Sequence, residues 1–115
     1  MSKFVALYLC PVSVLEGWMK TSEEVRKVEE EKMQKAWGEW MQKYGSMVTE
    51  TSGAGKTKHI TKNGVEDIKN EVMLYSIVEA ESHDEAAKIF VDHPHLTIPE
   101  ASIDVMAANP LPGMQ

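Results

Sequence analysis

Phe4-Val5-Ala6-Leu7-Tyr8-Leu9, closed by Cys10-Pro11, is the stretch whose reading decides the fold. Phe4, Ala6 and Tyr8 alternate with Val5, Leu7 and Leu9, so a strand here is apolar on both faces, as a strand is when layers cover it above and below. It belongs in the middle of a sheet. Pro11, which has no amide hydrogen to contribute to a ladder, ends it. A second stretch has the same property: residues 72–78 are apolar on both faces apart from Ser76 and predict another central strand.

What lies between and after these strands sets the order. Residues 12–20 read as a connection holding Trp18 and Met19, ahead of Thr21-Ser22-Glu23-Glu24, a capping box that opens a helix at Thr21. Val25, Val28, Met33, Ala36, Trp37, Trp40, Met41 and Tyr44 recur at three- and four-residue steps and predict one core-facing stripe. Gly45 stands where a left-handed helix end is wanted. Residues 46–51 alternate only in part and read as an edge strand. Residues 56–70 form a polar hairpin insertion, an extended arm over 56–62 turning at Asn63-Gly64, with the charged run 65–70 looping outward.

After the second central strand, Ser82-His83-Asp84-Glu85 caps another helix, with Ala86, Ala87, Ile89 and Phe90 inward. Asp92-His93-Pro94-His95 ends it, and residues 101–107 make a last edge strand. The order is βαββαβ, an α+β chain with an antiparallel sheet of the ferredoxin-like kind, one domain over 1–108 followed by a tail at 109–115. Helices cover one face of such a sheet. The apolar residues on the other face need a second layer, and a second copy supplies it economically, so a homodimer is expected.

Composition narrows the function classes. A chain of 115 residues with 43% hydrophobic content has enough apolar residues for one core. Its net charge of −6 argues against nucleic acid as a partner, and the basic residues of the first helix are interleaved with glutamates as on a solvated face. Cys10 is the single cysteine, which excludes an intrachain disulfide and fits a reducing compartment. The apolar run 4–15 is too short to span a bilayer and is broken by Pro11, so no membrane association is expected and the reading is cytoplasmic.

The motifs are modest. Ser52-Gly53-Ala54-Gly55-Lys56-Thr57 looks like a phosphate loop, but Glu50 occupies the position of its first glycine and no helix follows, so it reads as a flexible connection. His93 and His95 flank Pro94 as helix-terminal histidines, and neither a metal nor a cofactor is expected from them. His95 is also a candidate ligand-contacting group. Trp37 and Trp40 are core residues that also stand near a cleft between the long helix and the sheet, and Trp18 is placed to act as its lid.

In segment order the chain resembles the YCII-related family of dimeric α/β-barrel proteins. The resemblance rests on the short opening strand, the long helix ending at Tyr44-Gly45, Ser82-His83-Asp84-Glu85-Ala86, and Pro94-His95-Leu96. It implies a homodimer with one pocket per subunit and, in some members, acid-base chemistry by a histidine and aspartate pair. The chain departs from that family where the chemistry lies. The first helix has no histidine, Trp37 standing near its place, and the Asp-Gly-Pro-Phe motif is absent from 64–70. An indole is no general acid or base.

The expected function is therefore binding of a small apolar or aromatic molecule in a pocket lined by Tyr8, Trp37, Trp40, Tyr75 and His95. The alternatives are an enzyme of the same superfamily, a lyase or cofactor-independent oxygenase using His95 or His93 with Asp104 or Asp92, and a protein-interaction or regulatory module meeting its partner through the hairpin and tail.

Overall fold

Hydrogen bonding between strands settles the topology. The computed structural model describes residues 1–113, so the last two residues of the tail expected at 109–115 lie outside the described residues. The elements are β1 (Ser2–Leu9), α1 (Val12–Met19), α2 (Glu23–Tyr44), β2 (Val48–Gly53), β3 (Thr57–Thr61), β4 (Gly64–Ile68), β5 (Val72–Ala80), α3 (His83–Lys88) and β6 (Ser102–Ala107), with short 3-10 turns at Gly45–Met47 and Pro94–Thr97. The main sheet runs β2-β5-β1-β6 with all pairs antiparallel, and β3-β4 form a separate ribbon. With α1 and the ribbon set aside, this is the ferredoxin-like order. The two strands that are apolar on both faces, β1 and β5, are central.

One face of the sheet holds the core. Phe4, Ala6 and Tyr8 from β1 and Val78 and Ala80 from β5 pack with Trp40, Ala86, Ile89 and Phe90. Ser76 sits in the same layer, fully buried, and is satisfied: its hydroxyl lies 2.8 Å from the Tyr8 hydroxyl and 2.7 Å from that of Thr51. A polar side chain inside the core is tolerable on those terms. Trp40 spans from α2 to the end of α3, its indole N–H donating to the Ile89 carbonyl at 2.9 Å.

The other face is uncovered in the protomer. Val5, Leu7 and Leu9 of β1 stand beside Ile77 and Tyr75 of β5, all half-buried, with Met106 of β6 exposed at the edge. The body is correspondingly flat, with extents of 51 × 45 × 19 Å and a radius of gyration of 16.2 Å, against about 13 Å for a compact domain of this length.

Several local expectations are corrected. Residues 12–20 are not a plain connection, since Pro11 starts a helix as readily as it ends a strand and its carbonyl accepts from the amides of Val14 and Leu15 to open α1. The cap of α2 is Ser22, which accepts from the Val25 amide. Thr21 is occupied elsewhere, donating its hydroxyl to the Trp18 carbonyl at the end of α1. Gly45 is right-handed (φ −58°) and continues into a 3-10 turn instead of reversing.

The stripe on α2 is buried only in its C-terminal half. Val25 and Val28 are half exposed, because a helix of 22 residues is about 33 Å long and overhangs the core; Met41, though beside the buried Trp40, is exposed as well. Ala87 faces solvent. Most of the charged run expected to loop outward does not: residues 65–68 belong to β4 and pair residue by residue with β3, and Lys69 and Asn70 alone lie outside the strand. The turn itself is Lys62-Asn63, and Gly64 takes the positive φ of 136° that follows it.

Candidate functional site

The overhang of α2 makes the cleft. Toward its N-terminus α2 is exposed, with Val25 and Val28 half exposed, and a space opens between α1, α2, the end of β5 and the 95–99 segment. One part, of about 390 Å³, is lined by Met33, Gln34, Trp37, Met73, Leu74, His95 and Ile98. A contiguous part of about 420 Å³ shares Met33, Met73 and Ile98 and adds Trp18 and Val14 of α1 with Cys10. The walls are mostly apolar, as in sites for small organic molecules, with Gln34 and His95 as the polar side chains of the first part and Thr21, Glu29, Glu30 and Thr97 those of the second.

His95 is held in this wall by two restraints. The 3-10 turn begun by Pro94 places it, and its ring Nε2 lies 2.9 Å from the Leu9 carbonyl at the end of β1. Since a carbonyl only accepts, Nε2 carries the hydrogen. Burial lowers the tendency of the ring to protonate, and the backbones of Leu9 and Ser102 pull the other way. His93 lies deeper, 1% exposed, and its Nδ1 accepts from the His95 amide at 3.0 Å. Its Nε2 is buried and has no partner among the described residues.

Rings surround His93. Centroid distances are 4.4 Å to Trp37, 4.5 Å to Trp40, 5.1 Å to Tyr8 and 5.9 Å to Phe90. Burial, together with the adjacent His95, lowers its pKa to about 4. His93 is therefore a neutral packing element at ordinary pH.

Of the residues expected to line the pocket, Trp37 and His95 reach the cleft. Tyr8 and Trp40 do not: both are core, each spending its polar atom on a protein partner. Tyr75 points from the opposite face of the sheet, where its hydroxyl donates to Glu50 at 2.6 Å, because it is one residue out of phase with the buried Ser76. The proposed acid-base pairs are not assembled either. Asp92 is exposed in the loop after α3, and Asp104 lies opposite Leu7 on the uncovered face, so neither carboxylate faces His93 or His95. Among the described residues no group of three His, Cys, Asp or Glu could hold a metal ion.

Cys10 is buried, and burial with the charges of Glu100 and Glu71 pushes its thiol up, away from the reactive thiolate. Met33, Met73 and Ile98 are cleft residues that pattern reading missed. Met33 was legible only as part of a core stripe, and nothing local marks Met73 or Ile98. Trp18 was legible as a candidate lid and does line the cleft.

No family model matches this chain, and no curated protein sequence does. Among solved structures the chain is similar to 5-chloro-2-hydroxyhydroquinone dehydrochlorinase from Burkholderia phenoliruptrix AC1100, in complex with 2,5-dihydroxybenzoquinone. The identity is 15%, over 90% of this chain and 91% of that one, with a TM-score of 0.48. The ferredoxin-like fold stands on the chain's own strand order and takes nothing from that likeness. No helix among the described residues is long and apolar enough to cross a membrane.

Proposed function

We propose that the protein is a homodimer of the dimeric α/β-barrel kind, resembling the YCII-related proteins, that binds a small apolar or aromatic molecule in the cleft between α2 and the sheet. The observation that carries this reading is the mostly apolar cavity beside α2, walled by Trp37, Met33, Met73 and Ile98, with the neutral, buried His95 in the same wall, its Nε2 engaged by the Leu9 carbonyl. The dimer is supported by the uncovered row of Val5, Leu7, Leu9, Tyr75 and Ile77 on a body only 19 Å thick. Packing two such faces supplies each sheet with its missing layer.

Titration with N-phenyl-1-naphthylamine, an uncharged aromatic probe, tests the cleft. Wild type is expected to bind with quenching of tryptophan emission, and Ile98→Arg, which places a charge in the cavity, to lose binding with circular dichroism unchanged. Absence of binding by the wild type refutes the reading. Native mass spectrometry tests the assembly and reports any molecule retained on purification.

A second reading, an enzyme using a histidine base, is favoured by one observation, the presence of His95 in the cleft wall. Its partner would then have to be the substrate or a backbone carbonyl in place of aspartate. His95→Gln keeps a donor for Leu9 but no base; binding without turnover by this variant, where wild type turns over, would support catalysis.

A further inference from the structure

α1 has two sides, and each lines a cavity. Val14, Gly17 and Trp18 face the inner cleft. Glu16, Met19 and Lys20 face a broader groove of about 1230 Å³, whose far wall is the base of the β3-β4 ribbon. Cys10, Leu15 and Met73 line both, so the two spaces meet at the end of the sheet. The floor of the groove continues the apolar lining with Val12, Ile68 and Val72.

Its rim has a different chemistry. Lys20, Lys56, Lys58 and Lys69 stand around it against Glu16 and Asp67. Lys58 pairs with Asp67, and Lys69 reaches across to Glu16 at 3.4 Å, tying the ribbon to α1. Among the described residues Lys20 and Lys56 have no ion-pair partner. The outer rim is thus locally positive in a chain of net charge −6, whereas Glu29 and Glu30 line the inner cleft and Glu71 and Glu100 act on Cys10 where the two spaces meet, so an anionic group is favoured out at Lys20 and Lys56 and not within the cleft. An acidic protein repels anions as a whole, so a positive mouth on an apolar space selects for the one kind of anion that also has an apolar body.

Resting on the reading of the inner cleft as a ligand site, we infer that the ligand is an amphipathic anion. Its apolar or aromatic body lies in the inner cleft against Trp37 and Met33, and a single carboxylate, sulfonate or phosphate head emerges past Leu15 and Met73 beside Lys20 and Lys56. Burial of the body supplies most of the affinity. The head stays hydrated at exposed lysines, so its contribution is modest and salt-sensitive.

Two probes separate the parts. 8-Anilinonaphthalene-1-sulfonate and N-phenyl-1-naphthylamine share the same rings and amine and differ by the sulfonate. For a Lys20→Gln, Lys56→Gln double variant, affinity for the sulfonate is expected to fall about fivefold at low salt, with affinity for the uncharged probe unchanged. Raised salt weakens only the sulfonate in wild type. A control pair away from both cavities and from any ion pair, Lys35→Gln and Lys88→Gln, leaves both probes unaffected. Equal sulfonate affinity in wild type and double variant, or an equal loss in the control pair, overturns the anionic head while the uncharged probe still reports the cleft. If neither probe binds, the cleft reading falls with it.

Discussion

Acid should destabilise this fold through His93. The perturbation is pH alone, moved from 7.5 to 5. In the unfolded chain the imidazole takes a proton near its ordinary 6.5, whereas in the fold burial among Trp37, Trp40, Tyr8 and Phe90 holds it at about 4. A folded-state pKa below the unfolded one means that stability is fully present above 6.5 and is lost as pH falls toward 4. A shift of 2.5 units corresponds to about 3.4 kcal/mol in full, of which about 2 kcal/mol is lost by pH 5.

The geometry explains why the group resists. A second proton would go on Nδ1, which already accepts from the His95 amide, and no carboxylate faces the ring to compensate the charge. His95 is shifted in the same direction and adds to the loss. Urea unfolding followed by tryptophan fluorescence at pH 7.5, 6 and 5 measures it. His93→Phe keeps an aromatic in the ring cluster and should flatten the pH dependence by His93's share. A wild-type midpoint that does not move between pH 7.5 and 5, or an undiminished slope in His93→Phe, would refute the reasoning.

Three further outcomes are expected. Leu7→Asp places a charge in the centre of the uncovered sheet face and should convert the proposed dimer to a folded monomer, read by size-exclusion chromatography with light scattering alongside circular dichroism; a wild type that is itself monomeric refutes the proposed assembly. Trp40→Phe keeps a ring but leaves the Ile89 carbonyl without its donor, at a cost of about 1–3 kcal/mol in unfolding free energy. Gly64→Ala forces a side chain onto a φ of 136°, where no neighbour lies within 4 Å; the strain should appear as faster amide exchange across β3-β4, costing about 1 kcal/mol, with the main sheet unaffected.

The scaffold was legible because its signals are local. Alternation at residues 4–9 and 72–78 depends on the period of a strand and on nothing distant, and it identified the two central strands before any pairing was known. Ser82 and Pro94 act on the backbone beside them, and they stand where the second helix begins and the turn after it forms. The errors are also local, but they arise from competition. Thr21 and Ser22 are both good caps, and which of them opens α2 was decided by the end of α1, which claims the Thr21 hydroxyl. Pro11 ends β1 and begins α1, and a reading that used it once missed the helix.

What the sequence by itself determined is the order of the four main-sheet strands with α2 and α3 between them, the central strands, and the presence of a sheet face lacking its second layer. Those follow from periodicity and capping, which a chain carries residue by residue. Only the tertiary structure decided which aromatics face a cavity. Tyr8, Trp37, Trp40 and Tyr75 are alike in composition, yet one is hydrogen-bonded to Ser76 inside the core, one lines the cleft, one is anchored to Ile89 and one turns to the other face. The cleft exists because α2 is longer than the core beneath it and α1 closes one side of the space that is left. That is a relation between elements, set by where they cross and not by the residues of any one of them.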